Sequence, residues 1–263
     1  MIEIRTKQDV EDMKPAGAFV AEILQECNEM VKVGTNLLEI DELVHKMISH
    51  KKGAKSCYVD YAPDFATGAF EHYICLSVND AVLHGKPYDY NLQPGDLLSL
   101  DLAVEVNGWC GDSAFSIIVG EKEDPSVARG EDQLMIDTVK EALRIGIENG
   151  RAGKRLGDIS WNIGEYMWNQ GYDINTEYGG HGIGHVMHGD PLVPNDGKAG
   201  RGYKLRPGLI IAIEPWICET TDEIYTDEKD GWTIRSVDGS RGAHWEHTIA
   251  ITDSDPIILT KWD

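Results

Sequence analysis

Val82-Leu83-His84-Gly85-Lys86-Pro87 and Val186-Met187-His188-Gly189-Asp190-Pro191 are two versions of one motif, one in each half of the chain. Each is followed by a proline-glycine turn in a similar setting, Leu92-Gln93-Pro94-Gly95 and Leu205-Arg206-Pro207-Gly208. Seven residues beyond each turn proline stands a carboxylate, Asp101 and Glu214, and a second acid follows in each half, Asp112 and Glu246. One such match is within the reach of chance among turn residues. Two in the same order, each with an acid at equal spacing, are not. The sequence therefore predicts one α+β domain over 1–263, built of two pseudo-symmetric halves, about 1–120 and 131–263, with a site where they meet.

The halves also share an order of elements. Met13, Val20, Ile23, Leu24, Cys27, Met30 and Val31 recur at helical spacing, with Pro15 expected in the first turn. A second helix is expected over Leu37–His50, closed by Gly53, and strands over Ile74–Val78, Leu97–Val104 and Trp109–Val119. After a polar linker, Gly120–Glu131, helices are expected over Leu134–Asn149 and Asp158–Gln170, then strands over Leu209–Ile217 and Trp245–Thr252.

Composition narrows the function class. A hydrophobic fraction of 41% suits an ordinary globular chain, and no apolar run is long enough to span a bilayer. The start, Met1-Ile2-Glu3-Ile4-Arg5, has no signal-peptide pattern. Five scattered cysteines without a CxxC pair point to free thiols in a reducing cytoplasm, not to a disulfide framework or zinc ribbon. The net charge, 24 − 45 = −21, repels nucleic acid and anionic lipid, so neither is an expected partner. Solubility accounts for most of this acidity; a cluster of acids that only cations neutralise accounts for a smaller part.

Asn107-Gly108 is a strong hairpin signal. A two-residue loop pairs Val106 with Trp109, which sets Asp101 opposite Ala114 and Asp112 opposite Ala103. The two aspartates then share a face as diagonal neighbours, roughly 7 Å apart at Cβ. Glu214 ends the apolar run Leu209-Ile210-Ile211-Ala212-Ile213, and Glu246 sits in Trp245-Glu246-His247-Thr248-Ile249. Neither lysine nor arginine occurs in 97–116 or 209–217, so salt bridges are a poor account of these acids. Like charges on a buried face oppose folding unless compensated, and metal binding compensates all four together. An imidazole is expected from Gly179-Gly180-His181-Gly182-Ile183-Gly184-His185-Val186-Met187-His188. His181 and His185 would share a helical face in the manner of a zinc pair, but three glycines within five residues disfavour a helix there. His181, wedged between glycines, is the first candidate, and His188 is singled out as the repeat partner of His84. Four carboxylates balance two divalent cations, and an oxygen-rich set with one imidazole suits manganese, iron, cobalt or zinc.

With these motifs in hand, the chain resembles the type I methionine aminopeptidases, of the pita-bread fold, over nearly its whole length. The resemblance rests on Ser77-Val78-Asn79-Asp80 leading to His84-Gly85, on Ser99-Leu100-Asp101 and on Gly111-Asp112-Ser113. It rests further on Gly180-His181-Gly182-Ile183-Gly184, Ile213-Glu214-Pro215, Asp230-Gly231-Trp232-Thr233 and Glu246-His247-Thr248-Ile249. It implies an α+β pita-bread fold, with helices packed on a curved antiparallel sheet. It implies that Asp101, Asp112, His181, Glu214 and Glu246 hold two divalent ions (cobalt, manganese, iron, zinc or nickel), with Asp112 and Glu246 bridging. Asp101 would complete one ion's shell, and His181 with Glu214 the other's. His84 and His188 would not be ligands: His84 would contact substrate near the scissile amide and His188 would hydrogen-bond the scissile carbonyl. Glu214 would also carry the proton. Cys75 matches a cysteine of the family's methionine pocket and Trp232 a tryptophan at its rim, with Phe70 and Met187 as candidate walls. The stretch Tyr58–Tyr73 is longer than the family pattern.

The activity so implied is removal of the initiator methionine from nascent polypeptides whose second residue is small. A cytoplasmic monomer is expected, with the ribosome as a candidate partner. The short spacing from Glu214 to Glu246 leaves no room for the helical insertion of the type II enzymes. The alternatives are another pita-bread hydrolase, a proline-specific aminopeptidase or prolidase, and a binding protein that has lost the chemistry. The former usually carry a large N-terminal domain, where this chain has only a helix before its first motif; the latter usually lose ligands, and all five positions are filled.

Overall fold

The structure is a computed structural model and describes residues 1–63 and 66–262. In chain order its main elements are α1 (Lys7–Met30), α2 (Leu37–His50), β1 (Ala54–Ser56), β2 (Cys75–Val78), β3 (Ala81–Leu83), β4 (Leu97–Val106) and β5 (Trp109–Ile118). The second half contributes α3 (Gly130–Asn149), α4 (Leu156–Asn169), β6 (Gly180–Gly182), β7 (Gly189–Val193), β8 (Ile210–Ile213) and β9 (Trp216–Cys218). It ends with β10 (Ile224–Thr226), β11 (Ile234–Ser236), β12 (Gly242–His244), β13 (Glu246–Ala250) and β14 (Ile257–Ile258). The main sheet is antiparallel in the order β1-β4-β5-β13-β8-β6-β7, with β2 pairing β4 and β14 pairing β13.

The expected helices are present, and local chemistry starts two of them. The Thr6 hydroxyl accepts from the Asp9 amide at 3.1 Å while the Asp9 carboxylate accepts from the Thr6 amide at 2.8 Å, which satisfies two donors at the head of α1. Asn36 and Glu39 make the same box at α2. α3 begins earlier than expected, taking Gly130 and Glu131 from the predicted linker, and a 3-10 turn at Pro125–Val127 occupies more of it. Pro15 corrects an expectation: it lies well inside α1, not in the first turn. The helix tolerates it because Pro15 and Glu11 are exposed, so the Glu11 carbonyl that loses its helical donor faces water.

The hairpin turns at Asn107 (φ 52) and Gly108 (φ 86), both left-handed as a two-residue type I′ loop requires. Val106 pairs with Trp109, Asp101 with Ala114 and Asp112 with Ala103, the register counted from sequence. The two proline-glycine turns are also alike. Gly95 (φ 80) and Gly208 (φ 88) follow the prolines, and the Asp96 and Leu209 amides donate to Gln93 and Arg206 carbonyls at 3.2 and 3.1 Å. Proline second and a positive-φ glycine third is the type II signature.

Past these turns the halves diverge. β4 runs straight through Asp101, whereas the expected strand Leu209–Ile217 is broken after Ile213 and resumes as β9. Pro215 has no amide for the ladder, so the chain leaves the sheet at Glu214 and β9 pairs with β12 instead.

The strand alternation separates two faces. Leu98, Leu100, Leu102 and Val104 of β4 pack with Met13, Val20, Ile23 and Leu24 of α1 and with α2. Ile211 and Ile213 of β8 and Ile249 of β13 pack with Met135, Val139, Ile159 and Ile163 of α3 and α4. Each such side chain, fully buried, contributes about 1.5–3 kcal/mol. The opposite face carries Asp101, Asp112 and Glu246. The helical layer sits close: a Cβ on Gly111 of β5 would lie 2.9 Å from the Gly17 amide nitrogen of α1.

Gly17 tests that packing. A Cβ there would lie 2.3 Å from the Leu259 carbonyl oxygen. Helix propensity favours Gly17→Ala by about 1 kcal/mol, but displacing packed backbone costs about 1–3 kcal/mol. Gly17→Ala is expected to lower the thermal midpoint, by roughly 2–4 °C per kcal/mol lost. Gly130→Ala, with nothing within 4 Å of the new carbon, is expected to be neutral or stabilising. Equal midpoints for the two variants would show that α1 and the Leu259 backbone move apart without cost.

Candidate metal centre

β4, β5 and β13 carry three acids to one face by register alone. Asp101 pairs with Ala114 of β5, and Ala114 pairs on its other side with Glu246 of β13. Asp112 stands two residues from Ala114 on the same face, opposite Ala103. The partners Ala114 and Ala103 are fully buried and small, which leaves the space above them to the acids. Glu214, just past β8, joins from the neighbouring strand.

His181 is delivered by β6, which reaches the site because its flanks are glycines. A Cβ at Gly180 would lie 2.3 Å from the Ala212 carbonyl oxygen, and one at Gly182 1.9 Å from that of Asp190. Only glycine permits this approach, and it sets His181 Nε2 3.6 Å from both Asp112 Oδ2 and Glu214 Oε1. The Gly182 carbonyl lies 3.1 Å from Nδ1, so Nδ1 carries the ring proton and Nε2 is left as the ligand atom.

The ligating atoms fall into three overlapping groups: Asp101, Asp112 and Glu246; His181, Glu214 and Glu246; and Asp112, His181 and His188, each within 4.8 Å. Asp112, His181 and Glu246 each belong to two. All five expected ligands are therefore brought together, and geometry also sets His188 within reach. Among the described residues, the ion pairs of the four acids are to His181 and His244 alone. Asp112 Oδ1 and Glu246 Oε1 are buried without a hydrogen-bond partner. Orphaned carboxylate oxygens within such a cluster fit a cation, because each leaves charge desolvated.

The electrostatics agree. Burial raises Asp101 to about 6. Burial and then Asp101 raise Glu214 to about 8. Asp112 and Glu246 are pushed well above the carboxylate range, first by burial and then by the neighbouring acids. Burial, with His188 beside it, lowers His181 to about 3, so the imidazole is neutral, as a ligand must be.

The other predicted residues line the same cavity. Phe70, Cys75, Met187 and Trp232 form one buried cluster with Tyr58 and Ala103. Cys75 pairs with Asp101 across β2 and β4, so this apolar pocket abuts the acids by register. Phe70 and Trp232 meet edge to face at 5.0 Å. His84 adopts a left-handed φ of 53, and a Cβ on Gly85 would lie 2.3 Å from the Leu76 carbonyl oxygen, so the pair turns sharply against β2. His188 stands at the rim.

Three neighbours escaped the sequence reading. The Tyr58 hydroxyl donates to Asp101 Oδ1 at 2.7 Å, and the Tyr61 hydroxyl lies 2.8 Å from His188 Nδ1. Both belong to the long stretch Tyr58–Tyr73, whose Asp64 and Phe65 lie outside the described residues. Nothing periodic marks either tyrosine. His244, 3.8 Å from Glu214 Oε2, did leave a signal, since it stands two residues before Glu246.

Comparison with known proteins gives this arrangement a context. Residues 11–253 match metallopeptidase family M24. A methionine aminopeptidase of Aquifex aeolicus is 38% identical over 99% of this chain and 99% of its own length. The crystal structure of methionine aminopeptidase from Rickettsia prowazekii, 32% identical, superposes with a TM-score of 0.92 over 99% of this chain and all of the other. A prolidase from Pyrococcus furiosus is 20% identical with a TM-score of 0.74, and this chain covers 66% of it, a likeness of fold alone.

The buried acids make stability depend on pH and metal. A carboxylate raised by folding favours the folded state below its ordinary pKa and disfavours it as pH climbs toward the raised value. Depressed histidines act oppositely, but only below their ordinary 6.5, so between 6.5 and about 8, where Glu214 titrates, the acids dominate. In EDTA the thermal midpoint is expected to fall as pH rises through that window, and Mn²⁺ is expected to remove the fall. A flat midpoint in EDTA would mean that the acids are neutralised by something other than cations.

Proposed function

The chain belongs to metallopeptidase family M24, and from that premise we propose that it is a methionine aminopeptidase, which removes the N-terminal methionine of polypeptides whose second residue is small. The observation that carries this reading is the junction of an acidic cluster able to hold metal with a buried sulfur-and-aromatic pocket, one strand pairing apart. The identity and length shared with methionine aminopeptidases favour it over a prolidase, and the complete set of ligand-bearing side chains favours it over a binding protein.

Asp101, Asp112, His181, Glu214 and Glu246 would hold two divalent ions, with Asp112 and Glu246 shared between them. When bound, such a pair supplies Lewis acidity and a water acidic enough to attack a carbonyl near neutral pH. Cobalt, manganese, iron, zinc and nickel are all compatible with one imidazole among carboxylates. Release from nascent chains assigns the protein to the cytoplasm, which accords with five free cysteines, and sets the ribosome as a candidate neighbour. The two halves would act as a single catalytic domain, and a monomer supplies every residue named.

Phe70, Cys75, Met187 and Trp232 seat the first side chain. Sulfur packs well against aromatic edges, so the pocket takes an unbranched thioether and excludes polar or β-branched chains. Its walls are buried side chains, which suits recognition of one apolar residue. His84 contacts the substrate near the scissile amide. His188 donates to the scissile carbonyl oxygen as charge builds there; with the Tyr61 hydroxyl, 2.8 Å away, donating to Nδ1, Nε2 would carry the donor proton. Glu214 takes the proton from water and returns it to the leaving amine.

Met-Ala-Ser is expected to release methionine, with Met-Lys-Ser and Leu-Ala-Ser far slower. Chelation should abolish release, and adding divalent ions should restore it. Preferred cleavage before proline, whatever the first residue, would move the assignment to the proline-specific relatives, and full activity in metal-free protein would remove it from metallopeptidases.

Glu214→Gln is expected to lower kcat by roughly 10²-fold or more with little change in KM. His84→Ala and His188→Ala are each expected to keep the full metal complement. Elemental analysis beside the kinetics separates the cases: near-normal kcat in Glu214→Gln rejects the proton role, and metal loss in His188→Ala makes that residue a ligand.

A further inference from the structure

The two oxygens of Glu214 face two different imidazoles. Oε1 lies 3.6 Å from His181 Nε2, on the metal side, and Oε2 lies 3.8 Å from His244 Nε2. His244 stands outside the set of residues assigned to the ions. It is 1% exposed, and its Nε2 is enclosed without a hydrogen-bond partner among the described residues. A buried ring nitrogen in that condition is costly unless the working state supplies a partner.

Both backbones are pinned. The His244 amide donates to Ser116 Oγ at 2.9 Å, and the same hydroxyl donates to the His244 carbonyl at 3.0 Å. His244 pairs with Trp216 across β12 and β9, and the Trp245 amide donates to the Pro215 carbonyl at 3.1 Å. Asn195 Nδ2 donates to the Glu214 carbonyl at 3.0 Å. The remaining freedom lies in the Glu214 side chain. A separation of 3.8 Å is too long for a hydrogen bond, but contacts of this kind tighten when substrate closes the site.

We propose that His244 is a positioning residue for Glu214: its Nε2–H donates to Oε2 and holds that oxygen toward the scissile bond, while Oε1 stays on the metal side. The proposal deepens the proton role assigned to Glu214 and rests on it. It divides the carboxylate's two tasks between its two oxygens, which a strand-bound aspartate such as Asp101, tied to Tyr58, has no means to do.

The test compares His244→Met, which has no donor, with His244→Gln, which has one, in the wild-type and Glu214→Gln backgrounds. Kinetics on Met-Ala-Ser are read with metal content. His244→Met is expected to lower kcat by roughly tenfold, the loss of one hydrogen bond to a charged group, with KM and metal content held. His244→Gln should recover most of that loss, and His244→Met should add little to Glu214→Gln. A loss that persists undiminished in the Glu214→Gln background, or unaltered kcat in His244→Met, overturns the proposal. If His244→Met does not fold, His244→Asn, whose amide is too short to reach, takes its place against His244→Gln; equal kcat for these two would also overturn it. Imidazole ¹⁵N spectra of the metal-free protein give a measure independent of turnover: the His244 Nε2 resonance should be that of a protonated nitrogen and should move in Glu214→Gln. An unprotonated Nε2 sinks the proposal. Failure of the underlying reading is distinguishable, because Glu214→Gln alone would then keep its kcat.

Discussion

Four carboxylates buried against one another are the constraint around which the protein is arranged. Asp101, Asp112, Glu214 and Glu246 draw together with no lysine or arginine among their ion-pair partners in the described residues, and two of their oxygens have no hydrogen bond. Bringing one such charge out of water costs several kcal/mol even after relaxation. Burial raises all four, repulsion from neighbouring acids adds to it at Asp112, Glu214 and Glu246, and divalent cations would remove both penalties at once. The surrounding residues are chosen by size. Alanines stand opposite the two aspartates, glycines flank His181, and glycines meet where α1 lies on β5. The helical layer can then supply hydrophobic stability on one face while the other tolerates charge.

The same register that gathers the acids couples them to recognition. Cys75 of the pocket pairs with Asp101, and Tyr58 both packs against Phe70, at 5.6 Å between ring centres, and donates to Asp101. A carboxylate of the candidate centre and a pocket wall thus share one hydrogen bond. In the function proposed, a side chain seated in the pocket would set its own backbone carbonyl beside the centre, so selection of the first residue and the chemistry next to it would be one geometric problem.

The internal repeat shows how equal spacing yields unequal roles. Both halves enter their central strand through the same type II turn and reach an acid seven residues after the proline. In the first half the strand continues, so Asp101 is fixed in the ladder and held by Tyr58. In the second half Pro215 ends β8, and Glu214 is left outside the ladder with both oxygens turned to imidazoles. The asymmetry is covalent in origin: proline offers no amide.

What the sequence by itself determined is the chemistry carried within a few residues. Asn107-Gly108 dictated the hairpin and its register, the two proline-glycine turns dictated the strand entries, and the runs around Asp101, Asp112, Glu214 and Glu246 marked acids set in largely apolar surroundings. The helices followed from spacing and caps, to within a turn. Only the tertiary structure decided the rest. Pro15 is interior to α1 because that face of the helix meets solvent, and the segment released from the ladder at Pro215 finds its new partner, β12, only in the folded chain. Strands of three residues, such as β6 and β12, carry no legible period. Tyr58, Tyr61 and His244 join the site through contacts that local pattern does not encode. The sheet order β4-β5-β13-β8-β6 brings residues from distant parts of the chain side by side, and that order is set by which apolar faces bury together. A turn is determined by the torsions its own residues allow, whereas the neighbours of a side chain across a sheet depend on every other segment having found its place.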